Sequence, residues 1–216
     1  MANRFHGLLC LVPVIGLAAG PQPLSLQAPG PRRLPAQAGA RVKDLAAGRF
    51  LVARRDLPDP NFAETVILLV QYDEDGVMGL VINRRTKLPL SRVLEDLKEA
   101  KGRSELAHWG GPVGTGAIAL LRGRFKTEDA RLVFADVHLV TSKALLEKSL
   151  AGATEASALR VYLGYSGWAA GQLEFEMELG TWHVLRGDPA MVFDADPQTV
   201  WSRLIRRSEM RIAQAR

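Results

Sequence analysis

The stretch from Gly164 to Trp182 constrains the fold more than any other part of the chain. It reads GYSGWAAGQLEFEMELGTW, a glycine-rich turn followed by alternating residues, a further glycine and a tryptophan. Glycine permits left-handed backbone conformations and close backbone approaches that other residues disfavour. Apolar side chains alternate with glutamates over residues 173–179, and a period of two is typical of a strand with one exposed face. We therefore expect a half-exposed strand there, with an acidic outer face.

The other predicted elements do not alternate regularly between strand and helix. A hairpin is predicted around the turn at Asp73–Gly76, where glycine supplies a positive φ. Helices are predicted over residues 90–101 and 141–150, and a last helix begins at Asp196. The mixed order favours an α+β fold in a single domain over a parallel α/β sheet. Further strands are predicted over residues 47–53, 66–70, 77–83, 117–121, 132–140, 159–164, 182–185 and 191–193.

The basic charge of the chain lies at its two ends. The formal net charge is +5, but residues 1–42 carry four arginines and no acid, and residues 203–216 carry five arginines and one glutamate. Residues 43–202 contain 19 basic and 22 acidic side chains and are therefore mildly acidic. Domains that bind nucleic acid usually carry their basic patch on the folded body. Direct DNA binding is therefore not expected.

The first 42 residues are predicted to lie outside the folded domain. Residues 8–19 form a continuous apolar run after a short basic start, which is typical of a signal peptide over residues 1–19. Residues 20–42 are rich in proline, glycine, alanine and glutamine, which predicts a disordered linker. The alternative is that the protein begins near Lys43. The first interpretation implies an exported, periplasmic protein without a transmembrane helix in its mature chain, and the second implies a cytoplasmic one.

Five segments, in order along the chain, resemble the AlgH/YqgE family of bacterial proteins. The resemblance covers about residues 45–206 and also includes Trp182 and Trp201. It implies a compact α+β domain over residues 43–216, with mixed, strongly coiled β-sheets and about three packed helices. Family members are often labelled as transcriptional regulators and usually begin close to the first strand, and no catalytic residues carry over. The five segments are residues 48–53, 59–62, 75–83, 110–113 and 163–178.

Two glycine motifs resemble catalytic or nucleotide-binding signatures without meeting their requirements. Gly164–Trp168 approaches the G-x-S-x-G nucleophile elbow, but a tryptophan occupies the last position and no helix is predicted to follow. Ser166 is therefore interpreted as a turn residue. Gly114–Ala119 matches the loose pattern G-x-G-x-x-A, which needs a preceding strand and a following helix to bind a phosphate. Here a Gly-Gly-Pro turn precedes it and a strand is predicted to follow.

The acidic face of the predicted strand allows two interpretations. Glu174, Glu176 and Glu178 could bind a divalent cation or share a proton if they lay about 7 Å apart on one face. Exposed strands also carry charges that prevent edge-to-edge pairing, and this interpretation is favoured. The single cysteine excludes an intrachain disulfide, and the histidines lack ligand spacing. We expect neither a metal nor a cofactor.

A ligand site, if the chain has one, is predicted between the glycine turns at residues 110–111 and 164–171. These turns would allow the backbone of a partner or a small anion to approach closely. The four tryptophans are interpreted mainly as core and turn packing. The candidate binding residues are Asn83, Gly110, Gly111, Trp168, Gln172 and Glu174.

Three functions remain open from the sequence. The first is a non-enzymatic regulatory or interaction protein with a protein or small-molecule partner, which follows from the resemblance and from the absence of catalytic spacing. The second is a small-anion or nucleotide-binding domain with weak hydrolase activity. The third is an exported envelope protein whose role differs from that of cytosolic relatives.

Overall fold

Strands make up most of the regular structure in the described residues, which are 42–152, 154 and 157–214 of a computed structural model. The predicted signal peptide lies outside this range, as does the predicted linker up to residue 41. The strands are β1 Arg49–Ala53, β2 Val66–Asp73, β3 Gly76–Val81, β4 Arg85–Pro89, β5 Leu106–Trp109, β6 Val113–Arg122, β7 Ala130–Phe134, β8 Val137–Val140, β9 Leu159–Trp168 and β10 Trp182–Arg186.

In the described residues five α-helices accompany these strands, and two of them are single turns of four residues. No helix in the described ranges is long and apolar enough to cross a lipid bilayer. Three short 3₁₀ segments occur at Val42–Asp44, Lys98–Ala100 and Pro197–Thr199. The α-helices are α1 Leu90–Val93, α2 Lys143–Ala151, α3 Gln172–Glu178, α4 Pro189–Val192 and α5 Val200–Gln214.

The strands form one mixed and strongly curled sheet. Its order is β10-β1-β2-β3-β9-β6-β8-β7, and all neighbours in this order are antiparallel. Strand β5 pairs with β9 in parallel, and β4 pairs with the β5 strand in antiparallel orientation. The curl brings the ends of the sheet together, since Phe134 of β7 contacts Gly48 and Gly187 beside β1 and β10. The result is a half-barrel, and it confirms the predicted single α+β domain with coiled sheets.

Helix α5 covers the interior of the half-barrel. It buries Val200, Trp201, Leu204 and Ile205, as the spacing of its apolar residues predicts. The Trp201 indole Nε1 donates a hydrogen bond of 2.8 Å to the Ala53 carbonyl at the end of β1. This bond satisfies the one polar atom of a large buried side chain and fixes the helix on the sheet.

Strand β9 changes partners along its length, and glycines make this change possible. Residues 159–165 pair with β6, whereas residues 166–168 pair with β3. Gly164 has φ +66°, and a Cβ atom there would lie 2.6 Å from the Gly111 carbonyl oxygen. A Cβ atom at Gly110 would lie 2.2 Å from the Gly164 carbonyl oxygen. The two backbones therefore cross at a distance that no larger residue allows.

The strand predicted over residues 173–179 is wrong, because these residues form helix α3. Gly171 is the N-cap of this helix, with φ +76°, and leucine, methionine and glutamate then favour a helix. Leu173 and Met177, four residues apart, are the buried pair, whereas Phe175 is 57% exposed. An alternation of seven residues thus also fits a short helix in which only the positions i and i+4 face the core.

Two further element predictions are corrected by the structure. Residues 191–193 were expected as a strand but belong to the end of α4, which Asp188 caps through the Ala190 amide before Pro189 opens the helix. The helix expected over residues 90–101 is interrupted after α1, where Leu94 leaves the helical conformation with φ −118° and ψ +41°. Strands β4 and β5 were not predicted.

Substituting Gly110 by alanine should strongly destabilise the fold. The added methyl group collides with the backbone of β9, and overpacking against a backbone cannot be relieved by a rotamer change, so we expect a loss of about 3 kcal/mol. Gly116→Ala is the matched control on β6, because nothing lies within 4 Å of the added Cβ atom. Urea unfolding of both variants checks the prediction, and equal midpoints would contradict it.

Candidate functional site

A cleft opens between the β2–β3 hairpin and the junction of β9 with α3. It consists of two adjoining cavities of about 420 and 520 Å³, and both are lined by Trp168, Ala169 and the hairpin residues Asp75 to Val77. The smaller cavity extends to Tyr165 of β9, and the larger one extends to Tyr72 and Glu174. We refer to both cavities together as the Trp168 cleft.

Trp168 is held in the cleft wall by a shared carboxylate. Its Nε1 donates to Glu176 Oε2 over 3.1 Å, and the Trp182 indole donates to the same oxygen over 2.8 Å. Gln172 Nε2 donates to the other oxygen, Oε1, over 3.1 Å. One glutamate therefore joins two tryptophans and the first turn of α3, which sets the shape of the cleft.

Glu174 has a different role, because it faces Tyr72 across the cleft. The Tyr72 hydroxyl donates a 2.6 Å hydrogen bond to Glu174 Oε1. This hydrogen bond, together with burial and the negative charge of Glu174, raises the pKa of Tyr72 to about 12. Glu174 Oε2 is buried and has no hydrogen-bond partner among the described residues. A buried carboxylate oxygen without a donor is an available acceptor for a ligand.

The rim of the Trp168 cleft is acidic. Asp73, Glu74 and Asp75 occupy the tip of the hairpin, are exposed and line the larger cavity beside Glu174. Asp73 Oδ1 accepts hydrogen bonds of 3.0 Å from the Asp75 amide and from Gln71 Nε2, which order the turn. Four carboxylates therefore surround one opening, and their combined potential attracts cations.

The predicted binding residues are only partly brought together. Trp168 and Glu174 line the cleft, and Gln172 supports it through Glu176. Asn83 lies elsewhere and is 6% exposed: its Oδ1 accepts from the Val66 amide, and its Nδ2 donates to the Glu64 carbonyl. Its contacts therefore connect the loop before β2 with the end of β3.

The glycine turn at residues 110–111 contacts the chain's own backbone. The Gly110 amide donates to the Leu163 carbonyl over 2.8 Å, and the Gly110 carbonyl accepts from the Val81 amide over 2.9 Å. A Cβ atom at Gly111 would lie 2.2 Å from the carbonyl carbon of Tyr165. The backbone of β9 therefore occupies the space that these glycines leave open for a close approach.

The remaining sequence motifs also have structural positions. Ser166 is 1% exposed, and its hydroxyl donates to the Gly110 carbonyl over 3.4 Å. Gly114–Ala119 lies within β6, so no helix N-terminus follows it. Glu174, Glu176 and Glu178 do not share a strand face, because they lie on a helix. In the ranges that the structure describes, no cluster of three acidic, histidine or cysteine side chains is arranged to hold a metal ion.

Sequence reasoning missed Tyr72 and the acidic hairpin tip as parts of the site. The hairpin itself was predicted, and its DEDG turn carries three acids in a row. That run was a usable signal, but nothing in the sequence shows that the hairpin tip lies against the start of α3, because this contact joins segments about 100 residues apart.

Comparison with known proteins gives the chain clear relatives. Residues 50–213 match the model of a family described as AlgH-like. The chain is 36% identical over 176 residues to a UPF0301 protein of Streptomyces avermitilis, which covers 77% of this chain and 88% of the relative. It is 40% identical over 154 residues to the UPF0301 protein AlgH of Pseudomonas aeruginosa, which covers 69% and 81%.

Two solved structures have a similar fold. The solution structure of AlgH from Pseudomonas aeruginosa matches with a TM-score of 0.62 and 36% identity, over 74% of this chain and 87% of that protein. A crystal structure of a protein from Corynebacterium diphtheriae matches with a TM-score of 0.66 over 78% and 90%, and its 23% identity supports the fold alone. The resemblance predicted from the five sequence segments is confirmed.

Replacing Glu176 by glutamine should loosen the tryptophan wall. Glutamine is uncharged and keeps one acceptor oxygen, whereas the carboxylate accepts from three donors on two oxygens. All three donors therefore lose a charged partner and at least one loses its acceptor, at a cost of about 2 kcal/mol. Glu178→Gln, at an exposed position of the same helix, is the control. Urea unfolding and the indole N–H resonances of Trp168 and Trp182 check the prediction. Unchanged resonances in the Glu176 variant would contradict it.

The ionisation of Tyr72 should report the contact between the hairpin and α3. Since the folded state raises the pKa of Tyr72 from 10.0 to about 12, its contribution to stability is complete below pH 10 and is lost as the pH rises toward 12. Difference absorbance against Tyr72→Phe isolates this phenol. Glu174→Gln should move its titration back toward pH 10, and an unmoved titration would show that Glu174 is not the cause.

Proposed function

The chain belongs to the AlgH-like family, and we propose that it is a non-catalytic regulatory protein that binds a basic segment of a partner protein. The observation that carries the proposal is the unpartnered, buried Glu174 Oε2 at the base of the acidic Trp168 cleft. A lysine or arginine side chain that enters the cleft would donate to this oxygen. Regulation then consists of occupying or releasing that partner.

The chemistry of the cleft walls supports a side chain with a cationic head and an apolar stem. Trp168, Val77 and Ala169 line both cavities and offer apolar surface to the methylene groups of such a side chain. Tyr72 and Trp168 present aromatic rings, which attract lysine and arginine heads. The carboxylates of the rim would contribute more to the association rate than to the final affinity, because exposed charges are screened.

The residues that line the cleft also favour binding over catalysis. They include tyrosine, tryptophan and carboxylates but, among the described lining residues, no histidine, cysteine, serine or lysine. Acyl or phosphoryl transfer usually needs a nucleophile paired with a base, or cationic donors for developing negative charge. The acidic rim would repel phosphate groups, which argues against a nucleotide or DNA in this cleft.

Charge reversal at the hairpin tip tests the proposal. Fluorescence anisotropy measures binding of a short fluorescein-labelled oligolysine peptide to the full chain, with oligoglutamate of the same length as the reference. We expect oligolysine to bind in a saturable and salt-sensitive manner, and the double substitution Glu74→Lys and Asp75→Lys to weaken binding about tenfold. Glu174→Gln should weaken it as well, through loss of the buried acceptor.

The matched control places the same charge change at exposed positions that do not line the Trp168 cleft. Glu95→Lys with Asp96→Lys changes two exposed acids between α1 and the 3₁₀ segment at Lys98–Ala100. This pair should leave the affinity within about twofold of the unmodified chain, since distant exposed charges are screened. Equal losses in both pairs, or no binding of oligolysine, would refute recognition at the Trp168 cleft.

A further inference from the structure

A second group of polar side chains is enclosed within the half-barrel, apart from the Trp168 cleft. Cross-strand register places Arg85 opposite His108 and His108 opposite Tyr162, so the three form a row across β4, β5 and β9. Arg160 lies two residues before Tyr162 and therefore on the same face of β9. We call Arg85, His108, Arg160 and Tyr162 the inner polar cluster.

The inner polar cluster is covered by the segment between α4 and α5. Arg160 Nη2 donates to the Asp194 carbonyl over 2.6 Å, and Arg85 Nη2 donates to the Ala195 carbonyl over 2.8 Å. His108 is 1% exposed, Tyr162 is fully buried and Arg160 is 8% exposed. Arg85 is exposed and lies on β4, the strand that pairs with β5.

Four buried polar atoms of this cluster have no hydrogen-bond partner in the described part of the chain. They are the two ring nitrogens of His108, the Tyr162 hydroxyl and Arg160 Nε. The His108 and Tyr162 rings lie 5.6 Å apart between centroids. Native interiors pair nearly all buried polar groups with protein or with a bound molecule. Four such atoms in one cluster therefore indicate a bound partner.

The charges around the cluster favour an anion as that partner. Arg160 and Arg203 both contact Asp194, whose carboxylate pairs with Arg203, and Arg85 donates to the neighbouring Ala195 carbonyl. Three arginines against one carboxylate leave positive charge in excess. Burial and the charges of Arg160 and Arg85 lower the pKa of His108 to about 3. The imidazole is thus neutral at pH 7, with one N–H donor and one acceptor nitrogen.

We propose that the inner polar cluster binds a small oxyanion of the phosphate class. The Arg160 Nε–H, the Tyr162 hydroxyl and one His108 N–H donate to its oxygens. Arg85 supplies a further positive charge at the edge of the site. A water molecule would satisfy some of these groups without balancing the charge.

The test titrates the full chain with inorganic phosphate and records the imidazole nitrogen resonances of His108 by NMR. We expect saturable shifts and a rise in melting temperature with millimolar phosphate, and no response to sodium chloride of equal ionic strength. AMP is a second arm, because a phosphomonoester offers the same chemistry from a nucleotide. A response to AMP alone would show that the phosphate group belongs to a larger ligand and would overturn the proposal that the free ion binds.

Tyr162→Phe separates binding from folding. It removes only the unpartnered hydroxyl, so the chain should fold as before, whereas the dissociation constant for phosphate should rise about tenfold. Arg122→Gln, at an exposed position of β6 outside both candidate sites, is the control and should change the dissociation constant less than about twofold. Should the Tyr162 variant fail to fold, Arg85→Gln at the exposed side of the cluster gives a second variant with the same expected loss.

Besides a response to AMP alone, three outcomes would overturn the proposal. They are an absence of shifts at His108 up to the highest phosphate concentration, an equal response to chloride, and unchanged affinity in both the Tyr162 and Arg85 variants. The first two would mean that the cluster has no specific phosphate site, and the third would mean that phosphate binds elsewhere. None depends on the Trp168 cleft, so failure here leaves the binding of a basic segment unaffected.

Discussion

The backbones at Gly110 and Gly164 cross so closely that both positions require glycine, and this crossing joins the two parts of the curled sheet. Gly110 is hydrogen-bonded to β3 through the Val81 amide and to β9 through the Leu163 carbonyl, so a single residue joins both strands. The crossing needs glycine on both sides, because a Cβ atom on either one overlaps the other backbone. Without it β9 could not leave β6 for β3, and the sheet would separate into two.

Strand β9 consequently carries both candidate sites on one continuous backbone. Arg160 and Tyr162 lie before the crossing and face the enclosed interior, whereas Trp168 lies after it and faces the cleft. Only the crossing at Gly164 lies between them. A strand that is hydrogen-bonded on both sides moves little, so each site is built on a rigid element, and rigid placement is what specific recognition requires.

The parts of the fold that the sequence predicts well are those set by local pattern. The β2–β3 hairpin and the buried face of α5 are examples, because a turn signal or a helical period decides them within a few residues. Strands β4 and β5 were missed because β5 is held by pairing with β9, more than fifty residues away, and β4 in turn pairs with β5. The candidate site was predicted in part, since Trp168 and Glu174 line it. Asn83 instead accepts from the Val66 amide, and the 110–111 turn packs against the backbone of β9, so neither lines the cleft.

Residues 173–179 form a helix and not the predicted strand, and this explains how one repeated acidic pattern gives two carboxylates with different roles. On a strand, Glu174 and Glu176 would point the same way and be equivalent, whereas on a helix residues two apart point about 200° apart. Glu176 therefore turns toward the two indoles and becomes a structural acceptor, while Glu174 turns toward Tyr72 and keeps one oxygen unpartnered. The sequence alone cannot separate these roles, because the distinction arises only from the left-handed Gly171 that starts the helix.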